Sequence, residues 1–303
     1  MAYDAVLIAG PTASGKSAAA LRLAEALGGA IINADSMQVY RQAPILTAQP
    51  TPADKRHVPH LLYGHVNADE VYSVGRYAKD AAAALGEVRA QGKLPIFVGG
   101  TGLYFTALTD GLAQIPPTPP GIRENARARL ERIGVASLHA ELMAMDPKTA
   151  AGLRASDPQR VLRAYEVFEA TGRPLADWQL SPSEPVLRNL RLAKLLLDPP
   201  REILRARIAE RFESMVEEGG LDEAMALRHL DPALPAAKLL GLRPLIALGE
   251  GQLSREEALL QAVTATRQFA KRQTTWFRHR MLDYVHIDPS CSNISSLLDD
   301  NFA

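Results

Sequence analysis

The sequence predicts an α/β fold: a phosphate-binding (P-loop) core, built as a parallel sheet flanked by helices, that carries a helical insertion domain. In the N-terminal third, short apolar runs alternate with segments of helical periodicity, and a further apolar run follows residue 190. Such alternation is typical of parallel sheets covered by helices. Two proline-containing stretches, 111–121 and 181–185, enclose a segment that shows helical patterns only, which predicts an insertion between two linkers.

Each element is predicted from its own pattern. Strands are expected where short apolar runs end in glycine or polar residues, at 5–9, 30–33, 94–98, 192–197 and 284–287. Helices are expected at 16–27, 77–90, 122–133, 137–145, 158–171, 201–218, 221–230 and 255–278. The core is therefore assigned to residues 1–118 and 188–303, and the insertion to 119–187. The polar tail from Ser290 onward is expected to be frayed.

The composition of the 303 residues excludes several classes of protein. The chain is 47% hydrophobic and 22% charged, which is typical of globular proteins. No apolar run reaches the ~18 residues of a membrane helix, and a single cysteine, Cys291, excludes an intramolecular disulfide and a multi-cysteine zinc site. Residues 1–4 lack the start of a signal peptide. We therefore expect a cytoplasmic protein, without membrane contact, that is monomeric and has no obligate protein partner.

A glycine-rich loop lies between the first predicted strand and the first predicted helix. Its sequence fits the pattern G-x-x-x-x-G-K-[ST], whose backbone N–H groups and helix N-terminus cradle phosphate groups. Lys16 adds a positive charge, and the Ser17 hydroxyl is suited to Mg²⁺. The pattern predicts polyphosphate binding without identifying the ligand, and a chance match in a glycine-rich turn is the alternative. The predicted diphosphate-binding residues are Gly10, Pro11, Thr12, Ala13, Ser14, Gly15, Lys16 and Ser17.

Two more polar segments follow predicted strands, at the edge of a parallel sheet where ligands bind. Asp35 follows the second strand. Its position fits a general base or an outer ligand of Mg²⁺, and it fits a helix cap equally well. Thr101 follows the third strand within Gly99-Gly100-Thr101-Gly102. These glycines allow the backbone to approach a ligand closely, although a simple turn is the alternative.

Several ordered motifs, which together span roughly residues 5–280, resemble those of the tRNA dimethylallyltransferases, also called tRNA isopentenyltransferases. The motifs are residues 10–17, 35–41, 72–74, 99–104, 157–166, 208–215 and 266–278. The chain also departs from the family pattern. It has Pro44 and Gln49 where the family commonly has Asp and Lys, and Leu242 and Pro244 where the family usually has Tyr and Gln around the shared Arg243.

The resemblance implies transfer of a dimethylallyl group from dimethylallyl diphosphate to N6 of the adenosine on the 3′ side of a tRNA anticodon, with release of diphosphate. It implies a Mg²⁺ cofactor held at Ser17. It also implies catalytic roles for Asp35, which accepts the N6 proton, and for Thr101 and Arg211, which stabilise charge on the leaving group. The implied contacts to the anticodon stem-loop are Asp35, Ser36, Met37, Gln38, Thr101, Arg123, Gln159, Arg160, Val161, Leu162, Arg163 and Arg243.

Other functions make different demands on the chain. A P-loop kinase for a small metabolite needs neither the insertion nor the basic segment at 264–280. An adenylate-type prenyl transferase shares the core motifs but does not need the Gln159–Arg163 segment. A non-catalytic RNA-binding protein does not need an intact Lys16, Asp35 and Thr101. Basic runs are usually solvated helix faces; together with the family motifs, they indicate contacts to tRNA phosphates.

Overall fold

The structure is a computed structural model that describes residues 3–288. The expectations for Cys291 and for the tail from Ser290 lie outside the described residues. The chain folds into two compact units. One, here called the core unit, comprises Met1–Leu108 and Val186–Ala303. The other, here called the insertion unit, comprises Thr109–Pro185.

The core unit contains one six-stranded sheet in the order β3-β2-β4-β1-β5-β6, in which every paired strand is parallel. Its strands are β1 (Ala5–Ala9), β2 (Gly29–Asn33), β3 (His60–Leu61), β4 (Leu94–Gly99), β5 (Leu192–Leu197) and β6 (Val285–Ile287). The predicted α/β fold with a parallel sheet is confirmed. Strand β3 was not predicted, because two residues are too short to show a pattern.

Helices cover the sheet and build the insertion unit. They are α1 (Lys16–Leu27), α2 (Pro52–His57), α3 (Val74–Ala90), α4 (Gly102–Thr109), α5 (Pro120–Met145), α6 (Pro147–Ala150), α7 (Pro158–Thr171), α8 (Leu175–Gln179), α9 (Arg201–Met215), α10 (Leu221–Ala226), α11 (Leu242–Gly249) and α12 (Arg255–Arg280). A π-helical turn at Val216–Gly220 joins α9 to α10. Within residues 3–288, no helix combines the length and the apolar character that crossing a bilayer requires.

Alternate residues of the strands pack on opposite faces of the sheet. Leu7, Ile32 and Phe97 belong to one buried cluster, which extends to α3, α4 and α11. Val6, Ile8 and their neighbours belong to a second cluster with the apolar side of α1. Because both faces are covered, the strands read as continuous apolar runs, which is typical of a parallel sheet.

The insertion unit is helical and has its own small apolar core. Leu138, Leu142 and Val161 are fully buried there. Gly134 interrupts α5 with a positive φ of 77°, so the two helices predicted at 122–133 and 137–145 are confirmed as its two halves. An ion pair between Arg129 and Glu141 joins these halves across the break.

The carboxyl ends of β2 and β4 approach each other closely at Gly99. A Cβ atom on Gly99 would overlap the carbonyl group of Ala34. At the same point, the Ala34 N–H donates to the Val98 carbonyl (2.7 Å), and the Thr101 N–H donates to the Ala34 carbonyl (3.3 Å). This close approach sets Asp35, which follows Ala34, beside the Gly100–Thr101 turn.

We predict that Gly99→Ala lowers the free energy of unfolding by about 3 kcal/mol or more, because the added methyl group forces two neighbouring strands apart. Urea unfolding followed by circular dichroism measures the effect. The matched control is Gly86→Ala, since Gly86 lies within α3 and a Cβ there meets no atom within 4 Å. That control should gain ~0.5–1 kcal/mol. Equal midpoints for the two variants would contradict this account.

Candidate active site

A cavity of about 530 Å³ lies in the core unit at the carboxyl edge of the sheet. Parallel α/β sheets bind ligands at this edge. The phosphate loop, the loop after β2, the turn at 46–48, α9 and α12 all contribute to its wall. The lining residues are Thr12, Ala13, Gly15, Lys16, Ser17, Ala18, Arg22, Asp35, Met37, Gln38, Leu46, Thr47, Ala48, Arg207, Ile208, Arg211, Phe212, Leu240, Thr266 and Phe269.

The backbone of the phosphate loop has the conformation of an anion-binding loop. Ala13 and Gly15 adopt positive φ values of 63° and 92°. No side chain caps the N-terminus of α1, so its first N–H groups have no side-chain acceptor and are suited to bind an anion. The Lys16 Nζ lies 3.4 Å from the Pro11 carbonyl. Burial lowers the pKa of Lys16, and the Asp35 carboxylate opposes that shift.

Helix α9 brings two guanidinium groups to this loop. Arg211 donates to the Thr12 hydroxyl (3.3 Å), and Arg207 donates to the Ser14 carbonyl (3.3 Å). Burial lowers the pKa of Arg211, while Asp35 raises it. Sequence reasoning identified Arg211 and missed Arg207, although their spacing of one helical turn places them on the same helix face. Lys16, Arg22, Arg207 and Arg211 thus line the cavity, where Asp35 is the acidic residue.

Asp35 is fixed by a local network after β2. The Asn33 side chain accepts from the Asp35 N–H (2.8 Å) and donates to the carbonyl groups of Asp35 and Leu62 (both 3.0 Å). Asp35 Oδ1 accepts from the Met37 N–H (3.0 Å). Residues 36–48 form turns rather than a helix, so Asp35 does not cap a helix. Its carboxylate lines the cavity.

Thr101 connects the loops that follow β2 and β4. Its hydroxyl accepts from the Ser36 N–H (2.9 Å) and donates to the Ser36 hydroxyl (3.1 Å). Neither Thr101 nor Ser36 is among the residues that line the cavity. The structure therefore brings Thr101 beside the Asp35 loop but shows its hydroxyl bonded within the protein.

Gln273 on α12 is a site residue that sequence reasoning missed. Its Oε1 accepts from the Thr12 N–H (2.9 Å), and its Nε2 donates to the Gly100 carbonyl (2.8 Å). It is 7% exposed and stands between the buried Ala270 and Phe277. A polar residue on the apolar face of a helix is the signal that could have identified it.

Gln38 is buried and shapes the wall of the cavity. Both hydrogens of its amide group are used, because Nε2 donates to the carbonyl groups of Thr47 (3.0 Å) and Ala48 (2.7 Å). Met37, which also lines the cavity, is partly exposed. Gln38 therefore lines the cavity and also holds the backbone of residues 47 and 48 by hydrogen bonds.

The remaining sequence-predicted tRNA contacts differ in exposure. In the insertion unit, Gln159 and Arg160 are exposed at the start of α7. Val161 is fully buried in the core of that unit, and Leu162 packs against it, so their side chains serve packing. Arg163 donates to the Thr118 hydroxyl (3.0 Å). Arg123 is partly exposed, and Arg243, in the core unit, is exposed at the start of α11.

The oxygen groups of the cavity fit one type of magnesium site. Ser17 and Asp35 line the cavity, and no group of three or more His, Cys, Asp or Glu suited to a metal occurs in residues 3–288. Mg²⁺ commonly takes one or two protein ligands and completes its octahedron with water and substrate phosphates. This donor set is compatible with a Mg²⁺ ion that would take Ser17 as a protein ligand and complete its octahedron with other oxygen ligands.

Comparisons with protein families and with known proteins give the same result over most of the chain. The family model described as IPP transferase matches residues 38–280, and the model described as isopentenyl transferase matches residues 3–60. A tRNA dimethylallyltransferase of Bradyrhizobium sp. (strain ORS 278) is 53% identical over 95% of this chain and 94% of its own length. One from Rhodopseudomonas palustris (strain BisB18) is 54% identical over 94% of this chain and 91% of its own length.

Solved structures show the same similarity. A tRNA isopentenylpyrophosphate transferase from Bacillus halodurans is 32% identical, with a TM-score of 0.67 over 99% of this chain and 94% of its own. A eukaryotic dimethylallyltransferase acting on tRNA is 26% identical, with a TM-score of 0.78 over 98% of this chain and 76% of its own. Because the family model matches residues 38–280 and the relatives align over almost the whole chain, the chain belongs to the IPP transferase family.

Proposed function

We propose that this protein is a tRNA dimethylallyltransferase. It transfers the dimethylallyl group of dimethylallyl diphosphate to N6 of the adenosine on the 3′ side of a tRNA anticodon, acting as a monomer in the cytoplasm. One observation carries the proposal: a phosphate loop with added cationic side chains and the Asp35 carboxylate line the same cavity. The phosphate loop and the cationic side chains suit a diphosphate leaving group, and the Asp35 carboxylate suits removal of a proton from an amine.

The two ends of the donor substrate match two kinds of surface in the cavity. Lys16, Arg207 and Arg211 supply positive charge, and the start of α1 supplies N–H donors. Apolar side chains line other parts of the wall, and a five-carbon allylic group has matching chemistry. These apolar residues are Met37, Leu46, Ile208, Phe212, Leu240 and Phe269.

In the proposed reaction, the bond between C1 of the allylic group and the diphosphate oxygen breaks, and its electron pair leaves with the diphosphate. The lone pair of N6 forms the new C–N bond, and an N6 proton passes to Asp35. Lys16 and Arg211 stabilise the charge that develops on the diphosphate, because both are held at the loop before the reaction begins. The Thr101 hydroxyl can donate to the diphosphate only if it gives up its hydrogen bond to the Ser36 hydroxyl. When bound, Mg²⁺ neutralises further charge on the leaving group.

The insertion unit is proposed to dock the anticodon stem-loop. Gln159 and Arg160 are exposed at the start of α7, and the Arg163 side chain is partly exposed. In the core unit, α12 adds exposed basic residues, Arg267, Lys271 and Arg272. Phosphate contacts from these groups supply affinity without sequence preference. The target base then leaves the stack of a single-stranded loop, which costs about a few kcal/mol.

One incubation tests the proposed function. The protein is mixed with labelled dimethylallyl diphosphate and with either bulk tRNA or AMP. Label should enter tRNA and remain absent from AMP. Label in AMP would support an adenylate-type prenyl transferase, and no transfer to either acceptor would contradict the proposal.

The first prediction about the proposed function concerns Asp35 as the general base. Asp35→Asn keeps an acceptor for the Met37 N–H, while Asp35→Ala removes it. If proton removal is the role, both variants should lose ~10²–10⁴-fold in turnover at saturating substrates. Inorganic pyrophosphate binding, measured by calorimetry, should not weaken, because both substitutions remove negative charge from the cavity. Near-normal turnover of Asp35→Asn together with an impaired Asp35→Ala would instead assign Asp35 to the local turn.

The second prediction concerns Arg211 and the leaving group. Arg211→Ala should slow transfer on the order of 10²–10³-fold, because a donor held at the loop before the reaction is lost. Single-turnover rates at saturating dimethylallyl diphosphate measure this step. Arg205→Ala is the matched control, since Arg205 is exposed on the same helix and lies outside the cavity wall. Equal rates for the two variants would remove Arg211 from the mechanism.

The third prediction concerns tRNA docking by α7. Arg160 is 72% exposed, so Arg160→Ala should weaken tRNA binding and reduce its salt dependence by about one counterion. Affinity for dimethylallyl diphosphate should not change. Arg89→Ala is the control, because Arg89 is exposed at the C-terminal end of α3. This end precedes β4 and therefore lies by the amino ends of the strands, away from the cavity at their carboxyl ends. Identical salt slopes for Arg160→Ala, Arg89→Ala and the wild type would mean that Arg160 only belongs to a solvated face.

A further inference from the structure

The turn at residues 43–49, here called the wall turn, forms one side of the cavity. Leu46, Thr47 and Ala48 line the cavity. The backbone is tightly wound: the Thr47 N–H donates to the Ala43 carbonyl (3.2 Å), and the Gln49 N–H donates to the Pro44 carbonyl (2.9 Å). The first N–H groups of such a helical turn have no partner within it.

Glu223, in the first turn of α10, supplies that partner. Its carboxylate accepts from the Ile45 N–H (2.9 and 3.1 Å to its two oxygens) and from the Leu46 N–H (2.9 Å). Pro44 has no N–H, so Ile45 and Leu46 carry the first donors after Ala43. Burial raises the pKa of the Glu223 carboxyl group, and the two backbone donors oppose that shift because they stabilise the ionised form.

The opposite end of the wall turn is held by Gln38 and includes a strained residue. Gln38 donates to the carbonyl groups of Thr47 and Ala48. Ala48 has a positive φ of 48°, a conformation that costs a non-glycine residue of order 1 kcal/mol or more and persists only where its surroundings hold it. Glu223 and Gln38 thus fix the N–H groups and the carbonyl groups of the same short segment.

We propose that Glu223 is a positioning residue for dimethylallyl diphosphate, acting through the wall turn. This inference rests on the proposed function. Glu223 itself is not part of the cavity wall, so it has no direct contact to offer the substrate. By holding the Ile45 and Leu46 N–H groups, it sets the distance of Leu46–Ala48 from the phosphate loop and from Asp35.

The carboxylate suits this place because both of its oxygens accept from the wall turn, Oε1 from the Ile45 N–H and Oε2 from the Ile45 and Leu46 N–H groups. In Glu223→Gln, one oxygen can still accept from the wall turn, but the new NH₂ group faces a backbone N–H. A displaced wall weakens contacts that the substrate makes in both its ground state and its transition state. The loss should therefore appear in KM and leave kcat nearly unchanged.

The test measures transfer to tRNA by the wild type and by Glu223→Gln, Glu223→Ala and Asp222→Asn. Asp222 is the neighbour of Glu223 on α10, so Asp222→Asn removes the same charge without touching the wall turn. We expect the KM for dimethylallyl diphosphate to rise roughly tenfold in Glu223→Gln and further in Glu223→Ala, as for the loss of hydrogen bonds to a charged group. The kcat, the KM for tRNA and the parameters of Asp222→Asn should stay within about threefold of the wild type.

Two outcomes separate the inference from the function on which it rests. A wild type that transfers no label contradicts the proposed function. An active wild type with an unchanged KM for dimethylallyl diphosphate in both Glu223 variants, together with a lower kcat and a lower Tm, assigns Glu223 to fold stability alone and overturns the inference. If Glu223→Ala fails to fold, the KM of Glu223→Gln decides the question.

Discussion

The architecture of the site depends on one buried amide. Gln273 accepts a hydrogen bond from the phosphate loop at Thr12 and donates one to the Gly100 carbonyl after β4. Glutamine suits this position because a single planar group supplies an acceptor and a donor together, whereas glutamate would present an acceptor to the Gly100 carbonyl. A Cβ on Gly100 would overlap this amide and come within 3.1 Å of Asp35 Oδ2, so Gly100 also leaves room for the Asp35 carboxylate.

From this bridge, the polar contacts extend through the catalytic edge of the sheet. Thr101 bonds to Ser36, and Asn33 fixes the backbone on both sides of Asp35. The loops after β1, β2 and β4 are therefore connected by side chains as well as by the strands. This network holds the Asp35 carboxylate near the phosphate loop with little freedom to move, and electrostatic stabilisation by preorganised groups is usually the largest single contribution to catalysis.

Local patterns were sufficient for most of the fold, because apolar runs and helical periodicity are set by neighbouring residues. The phosphate loop and Asp35 were also predictable, since each follows a strand. The contacts of Gln273, Arg207 and Glu223 were not, because their partners lie 261, 193 and 178 residues away along the chain, and no local pattern encodes such pairs. Helical spacing could mark Gln273 and Arg207 as candidates, but it does not identify the groups to which they bond. The motif around Val161 does not reveal its burial either, because its place on the buried face of α7 depends on packing against α5.

Two departures from the family pattern, Pro44 and Gln49, can be explained by the contacts of the wall turn. Pro44 is exposed at the start of the wall turn, where its missing N–H leaves no unpaired donor. Gln49 donates to the Tyr40 carbonyl (2.8 Å) and lies against Gly64, so it closes the turn through an uncharged amide. Both changes occur outside residues 45–48, whose N–H groups bond to Glu223 at the start and whose carbonyl groups bond to Gln38 at the end. The turn can therefore vary at its ends while Leu46, Thr47 and Ala48 keep their places in the cavity wall.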